Sequence, residues 1–294
     1  MAQTSNPALS QIVAFIFDTN EQTRETLSHK LAPALETELA TPTLETELNL
    51  SLTLLPATAM HLHAHPGLAV FDMDSTLIRQ EVIDELARAV GRYDQVSAIT
   101  DAAMRGKAPY TDFEASLRAR VALLKGVPTS IWEELKQRTI TFTPGGADLV
   151  CVLRALGWKT AVLSGGFMPL ATWVQGVLGL DYAFANQLGE DEGSGTLTGE
   201  LVRGAPIVHA ERKRELLGEL AAKNGVAMER TVAVGDGSND LLMMQAAGLG
   251  VAFNAKPKVQ AAAPTRLNGA SLLSVAYMLG CTEEQVADIL EAAT

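Results

Sequence analysis

The stretch Gly67-Leu68-Ala69-Val70-Phe71-Asp72-Met73-Asp74-Ser75-Thr76 decides the architecture. Four apolar residues, Leu68 to Phe71, run directly into two acids. An unbroken apolar run of this length reads as a strand buried on both faces, as in a parallel sheet. Asp72 and Asp74 then leave that strand together. Unpaired buried charge is costly, so the pair requires a cation, a proton or strong donors. Mg²⁺ suits the pattern, because it takes hard oxygen ligands from one or two carboxylates plus a substrate phosphate. An isolated D-x-D also fits a turn with incidental acids; its position at a strand end favours the metal.

Working outward, three more apolar runs occupy residues 158–163, 231–234 and 249–253. Helical stretches at residues 145–156, 168–178 and 207–224 lie between them. This alternation predicts parallel strands joined by right-handed crossovers, with the ligand at the C-terminal strand ends. Two of these runs also end in polar clusters. The run at residues 231–234 ends in Gly235-Asp236-Gly237-Ser238-Asn239-Asp240, a second acidic group or a Gly-rich turn. Asn239 is placed to begin a helix whose N-terminus favours anions. The run at residues 158–163 ends in Ser164-Gly165-Gly166, whose glycines let backbone N–H groups approach a phosphate. Taken alone, those three residues are expected to form a turn. Lys213 lies between Arg212 and Arg214, and composition does not distinguish a site lysine from a surface cation there.

Residues 79–142 break the alternation. They show no convincing strand but several amphipathic helical segments, clearest at residues 112–125, where Leu117, Val121 and Leu124 share a face. A helical insertion just after the first acidic strand end is expected to cap the site. Residues 1–64 differ again: strands are expected at residues 11–17 and 50–55 with a helix at residues 21–39, a small β-α-β segment of unassigned role. His61, His63 and His65 would share one face of a strand and could hold a metal. No cysteine or carboxylate stands beside them, and a polar lead-in to the next strand explains them as well.

At 294 residues the chain suggests about two domains, one carrying an insertion. A 47% hydrophobic content supplies a sizeable core and excludes global disorder. The formal charge of −11 argues against a general nucleic-acid binder, which needs a basic surface, but leaves room for one small basic pocket. Cys151 and Cys281 have neither metal-ligand spacing nor a disulfide framework, as expected of buried thiols in a reducing compartment. No apolar run approaches the roughly 18 residues of a membrane span. The first residues lack a basic then apolar leader, so a cytoplasmic location is expected.

The ordered set DMDST, SGG, a lysine in IVHAERK, and GDGSND resembles the four motifs of haloacid dehalogenase-type phosphohydrolases. AVFDMDSTLIRQEVIDELA, DFEASLRARVALLKGV and FANQLGEDEGSGTLTGELV are similar to the branch that hydrolyses O-phosphoserine. The resemblance covers residues 67–262. It implies a Rossmann-like, doubly wound parallel α/β core at residues 65–79 and 144–294, with a helical cap inserted at residues 80–143. It also implies Mg²⁺-dependent hydrolysis of O-phosphoserine through an aspartyl-phosphate, the last step of serine biosynthesis.

Carried over by position, Asp72 would be the nucleophile. Asp74 would protonate the leaving oxygen and then activate water. Asp72, the Asp74 carbonyl and Asp236 would hold the metal, with Asp240 at its outer shell. Lys213, Ser164 and the Gly165 N–H would bind the phosphate, and Asn239 would orient the site. Glu81 aligns with the residue binding the substrate ammonium, Arg120 with the one gripping its carboxylate, and Met104 and Phe113 with apolar residues closing over the ligand. His209 and Met168 depart from the usual pattern, and residues 1–64 show no complete regulatory ACT-like pattern. One rival is a related phosphatase or phosphotransferase for another small phosphomonoester; the acid–base pair Glu81 and Arg120, suited to a zwitterion, separates it. A catalytically silent amino-acid sensor is the other, and the intact Asp72/Asp74 pair argues against it.

Overall fold

A computed structural model describes residues 12–17, 51–56, 62, 64–110 and 112–293. Its first two strands, β1 (Ile12–Phe17) and β2 (Ser51–Pro56), pair antiparallel, with Ile12 opposite Pro56 and Phe17 opposite Ser51. The helix expected at residues 21–39, and His61 and His63, lie outside the described residues.

The core is a six-stranded sheet. In chain order its strands are β3 (Leu68–Phe71), β4 (Lys159–Phe167), β5 (Tyr182–Asn186), β8 (Thr231–Gly235), β9 (Leu249–Phe253) and β10 (Thr265–Leu267). In space they run β10-β9-β8-β3-β4-β5, and every pairing is parallel. The chain winds from β3 through β4 to β5 on one side, then returns to β8 on the other. The order therefore reverses between β3 and β8, and such a reversal opens a crevice at the carboxyl ends of the strands. Phe71 is level with Val162 on one neighbour and Val234 on the other, so Asp72 emerges into that crevice.

All four residues of β3 are fully buried. Ala69 and Phe71 belong to the apolar cluster on one face, and Leu68 and Val70 to that on the other. Burying each large apolar side chain contributes about 1.5–3 kcal/mol, so double-sided burial holds this strand firmly. The second face is covered by α7 (Ala210–Lys223) and α8 (Leu241–Ala246) through Leu216, Leu217, Leu220, Met243 and Met244. The first is covered by α5 (Gly146–Ala155), α6 (Met168–Leu178), α10 (Ser274–Met278) and α11 (Glu283–Ala292). The short helix α9 (Pro257–Ala262) links β9 to β10.

The insertion after β3 is helical as expected: α1 (Val82–Ala89), α2 (Tyr93–Met104), α3 (Phe113–Ala122) and α4 (Ile131–Glu134). Leu117, Val121 and Leu124 are all buried, and their cluster is continuous with the first face of the sheet. A hairpin of β6 (Leu188–Asp191) and β7 (Thr196–Leu201) joins this layer. Gly126 N donates to Leu197 O at 2.9 Å, and Leu197 N to Val127 O at 2.8 Å.

One expectation is corrected. Ser164-Gly165-Gly166 is not a turn, because β4 continues through it to Phe167 with a shift of register against β5 between Leu163 and Phe167. Paired glycines inside a strand mark such an irregularity.

Two glycines test the packing in opposite directions. Gly176, mid-helix in α6, has nothing within 4 Å of a built Cβ. Gly176→Ala should stabilise the protein by about 0.5–1 kcal/mol in urea unfolding. A Cβ at Gly250 in β9 would run into the backbone carbonyl of Met244. Gly250→Ala should therefore destabilise by more than the first change stabilises; equal responses would contradict this packing.

Candidate active site

The turn that follows β3, Met73–Leu77, carries the first acids. Ser75 closes it in the left-handed region at φ 55°, and Ile78 N donates to Met73 O at 3.0 Å. Asp72 is anchored below, its N donating to Val234 O at 2.9 Å. The Asp72 Oδ1 atom accepts from Met73 N at 2.7 Å and lies 2.8 Å from Lys213 Nζ. Lys213 also donates to Asp240 Oδ1 at 2.6 Å. Its side chain is 0% exposed, delivered from the first turns of α7. Arg212 instead faces outward, paired with Glu215 and Glu219, so burial separates the lysine from its neighbour.

Asp240 is held from the far side, its Oδ2 accepting from Gly237 N at 3.0 Å. A Cβ on Gly235 would come within 2.5 Å of the Asp240 carboxylate, so only glycine fits between strand end and acid. Oxygen atoms of Asp72, Asp236 and Asp240 all lie within 4.8 Å of one another. Three carboxylates thus face one ammonium. Burial, then Asp72 and Asp240, push Asp236 up to about 8. Burial, then Asp72, push Asp240 up to about 7. Burial alone would lower Lys213, but Asp240 and Asp72 outweigh it and raise the ammonium above its usual value. Raised carboxyls mark negative charge that one lysine does not neutralise. An all-oxygen donor set with surplus negative charge fits a hard divalent cation.

Asp74 has a different environment. Its Oδ2 accepts from Val82 N at 3.1 Å, while its buried Oδ1 has no hydrogen-bond partner among the described residues. Burial, then Glu81 and Asp72, hold this carboxyl well above the usual range. The raised proton affinity and the one unengaged oxygen suit a group that gives and takes a proton.

The SGG segment packs against the same space. Ser164 is fully buried and its Oγ accepts from Gly166 N at 2.8 Å. A Cβ on Gly166 would approach Asp74 Oδ2 to 3.3 Å, and one on Gly165 would approach the Phe113 ring to 3.3 Å. Phe113, the first residue of α3, therefore covers the strand extension. Asp112 caps that helix, its Oδ1 accepting from Ala115 N at 2.7 Å. Asn239 lines a cleft of about 520 Å³ with Phe113, Asp112, Glu114, His209, Ala210, Glu211 and Ser238, open between insertion and core.

Glu81 accepts from Ser75 Oγ at 2.6 Å, and desolvation raises its carboxyl. Arg120, half-buried on α3, faces Asp84, Glu81 and Asp74; burial lowers it against the pull of those acids. Met104 stands apart at 64% exposed, its sulfur 3.7 Å from Lys256 Nζ. Asn186, at the end of β5, escaped the sequence reading. Its Nδ2 donates to Gly165 O at 2.8 Å, and its Oδ1 accepts from Val208 N at 2.9 Å. It ties the strand extension to the entry of α7; a polar residue ending the apolar run YAFAN was its only signal.

Residues 69–245 match the family model for haloacid dehalogenase-like hydrolases. A phosphoserine phosphatase of Idiomarina loihiensis is 50% identical over 218 residues, covering 74% of this chain and 94% of its own. A phosphoserine phosphatase of Streptomyces coelicolor is 44% identical over 254 residues, covering 86% of this chain and 58% of its own. Among solved structures, a phospho-aspartyl intermediate analogue of phosphoserine phosphatase superposes with a TM-score of 0.66 at 40% identity, covering 72% of this chain and 98% of that one.

The raised acids predict proton-linked metal binding. Asp236 holds its proton below about pH 8, and a cation requires the carboxylate form. Affinity for a divalent ion should rise as pH rises from 6 to 8, by up to about tenfold per unit for each proton displaced. Calorimetric titration in buffers of differing ionisation enthalpy measures the protons released; a pH-independent affinity would show that these acids do not hold the ion.

Proposed function

This chain belongs to the haloacid dehalogenase-like hydrolase family, and we propose that it hydrolyses O-phosphoserine to serine and inorganic phosphate through an aspartyl-phosphate on Asp72. The observation carrying this reading is the pair Asp72 and Asp74, two positions apart at the end of β3. The Met73 N–H and the Lys213 ammonium both converge on Asp72 Oδ1, leaving Oδ2 to attack phosphorus. Asp74 stands beside it with its proton affinity raised by burial, then Glu81 and Asp72, and with Oδ1 without a hydrogen-bond partner among the described residues.

In the first step the Asp72 carboxylate forms a bond to phosphorus as the bond from phosphorus to the serine oxygen breaks. Asp74 gives its proton to that oxygen, and serine leaves. Asp74, now ionised, accepts a proton from water as the water oxygen attacks the phosphorus. The phosphorus–Asp72 bond breaks, and phosphate and both acids are restored. Lys213 offsets charge between nucleophile and phosphate, whose approach would otherwise be repulsive. Ser164 and the Gly165 N–H bind phosphate oxygens, and Asn239 orients the site. Asp72, the Asp74 carbonyl and Asp236, with Asp240 behind, would hold a divalent ion, Mg²⁺ on donor chemistry, which would supply further charge neutralisation.

Specificity resides in the helical layer at residues 80–143, which acts as the cap. Glu81 takes the substrate ammonium and Arg120 its carboxylate, while Phe113 closes over the ligand and Met104 stands at the exposed edge of the insertion beside Lys256. No described helix is long and apolar enough to cross a membrane, and a cytoplasmic setting suits a serine-producing enzyme.

The substrate assignment is tested through Arg120. Arg120→Ala should cost about 2–5 kcal/mol in kcat/KM for phosphoserine, by analogy with breaking a buried charge pair. Phosphoethanolamine lacks the carboxylate and should be affected far less. The measurement is the ratio of the two kcat/KM values in wild type and variant. An unchanged ratio would remove Arg120 as the carboxylate reader and with it the phosphoserine assignment.

A further inference from the structure

Two stretches join the helical insertion to the core, and they run side by side. Ile78 and Phe142 form an antiparallel bridge. Arg79 N donates to Thr141 O at 3.0 Å, and Thr143 N to Leu77 O at 2.9 Å. The Gln80 side chain clasps Thr141 twice, accepting from its N and donating to its Oγ1, both at 2.9 Å. Residues 80–143 are joined covalently to the core only through this neck, so a movement of the insertion must bend here, while the β6–β7 hairpin touches it through hydrogen bonds such as Gly126 N to Leu197 O.

A second cleft, of about 270 Å³, lies against the neck. Ser75, Arg79, Thr143 and Pro144 form the neck wall, and Phe253, Asn254, Gly269 and Ala270 the core wall. The core wall is stiff: Asn254, at φ 46°, donates from Nδ2 to Gly269 O at 2.9 Å and accepts from Gly269 N at 3.0 Å. Among the described residues, Arg79 is the only charged one lining this cleft. It is exposed, and its guanidinium has no hydrogen-bond or carboxylate partner among the described residues. The cleft beside Asn239 is lined instead by Asp112, Glu114 and Glu211. In a chain of formal charge −11, a small polar cleft whose only charge is an unpaired guanidinium stands out electrostatically. Guanidinium donors match the oxygens of a carboxylate or phosphate in a bidentate fashion, with hydroxyls able to add to the contact.

We infer that this cleft is a second binding site for a small oxyanion, a carboxylate or phosphate group, distinct from the acidic centre. The anion sits between Arg79 and Thr143 on the neck and the stiff core wall, and so braces the neck. Ser75 links the cleft to the catalytic turn, since its Oγ donates to Glu81 at 2.6 Å. Bracing slows the opening that releases products, so occupancy lowers turnover. The inference does not depend on which phosphomonoester is hydrolysed.

The test is kcat with substrate and divalent metal both saturating, measured against sulfate or acetate at constant ionic strength. An anion that merely competes at the active site cannot lower kcat under these conditions. Wild type should lose about fivefold in kcat at saturating anion, the lower end of ordinary coupling between sites. Arg79→Gln should keep its anion-free kcat and lose the response; Arg79→Lys should respond only at higher anion concentration. A response to sulfate alone identifies a phosphate-type ligand, to acetate alone a carboxylate, and to both a general oxyanion site. A wild-type kcat indifferent to both anions, or an Arg79→Gln response equal to that of wild type, would overturn the inference.

Discussion

One buried ammonium organises the centre. Lys213 reaches Asp72 and Asp240 at 2.8 and 2.6 Å with no solvent contact, so it ties the ends of β3 and β8 to α7. Removing one partner from such a group leaves uncompensated buried charge, which is why these arrangements tolerate little change. Even so, the balance is unequal. Three carboxylates lie within 4.8 Å of one another, and their raised proton affinity is the physical statement that positive charge is still needed. That need suits a site built to receive a metal and then an anion.

The topology explains why the charges meet. The strand order reverses between β3 and β8, and the crevice there is where Asp72, Asp236 and Asp240 emerge. β4 adds Ser164 and Gly165 from the adjoining position, and Asn186 fixes the Gly165 carbonyl. Only Asp74 turns toward the insertion, taking its hydrogen bond from Val82 at the start of α1. Asp74, the proposed general acid, is thus coupled to the helical insertion, while Asp72, the proposed nucleophile, is coupled to the sheet. The neck formed by Ile78 and Phe142 joins the two.

Much of this was legible in the residues. Leu68–Phe71, Leu249–Phe253 and Met168–Leu178 are strands and helix with the limits their apolar patterns imply. Acids placed directly after such runs could only emerge at strand ends. The three-residue β10 and the half-polar hairpin of β6 and β7 carried no comparable pattern, being too short or too exposed to show a period. The continuation of β4 through Ser164-Gly165-Gly166 was hidden because glycines signal turns and bulges alike. The choice among Arg212, Lys213 and Arg214 rested on burial, which is a property of packing rather than of local sequence.

The central claim is that phosphate passes through Asp72, and trapping the intermediate examines it directly. Enzyme quenched during turnover of phosphoserine is reduced with borohydride, which converts an acyl phosphate to an alcohol, and its peptides are mapped by mass spectrometry. The account predicts homoserine in place of aspartate at position 72, appearing only with substrate and metal present, and absent from Asp72→Asn. Homoserine at another acid, or undiminished phosphate release by Asp72→Asn with deamidation excluded, would contradict it.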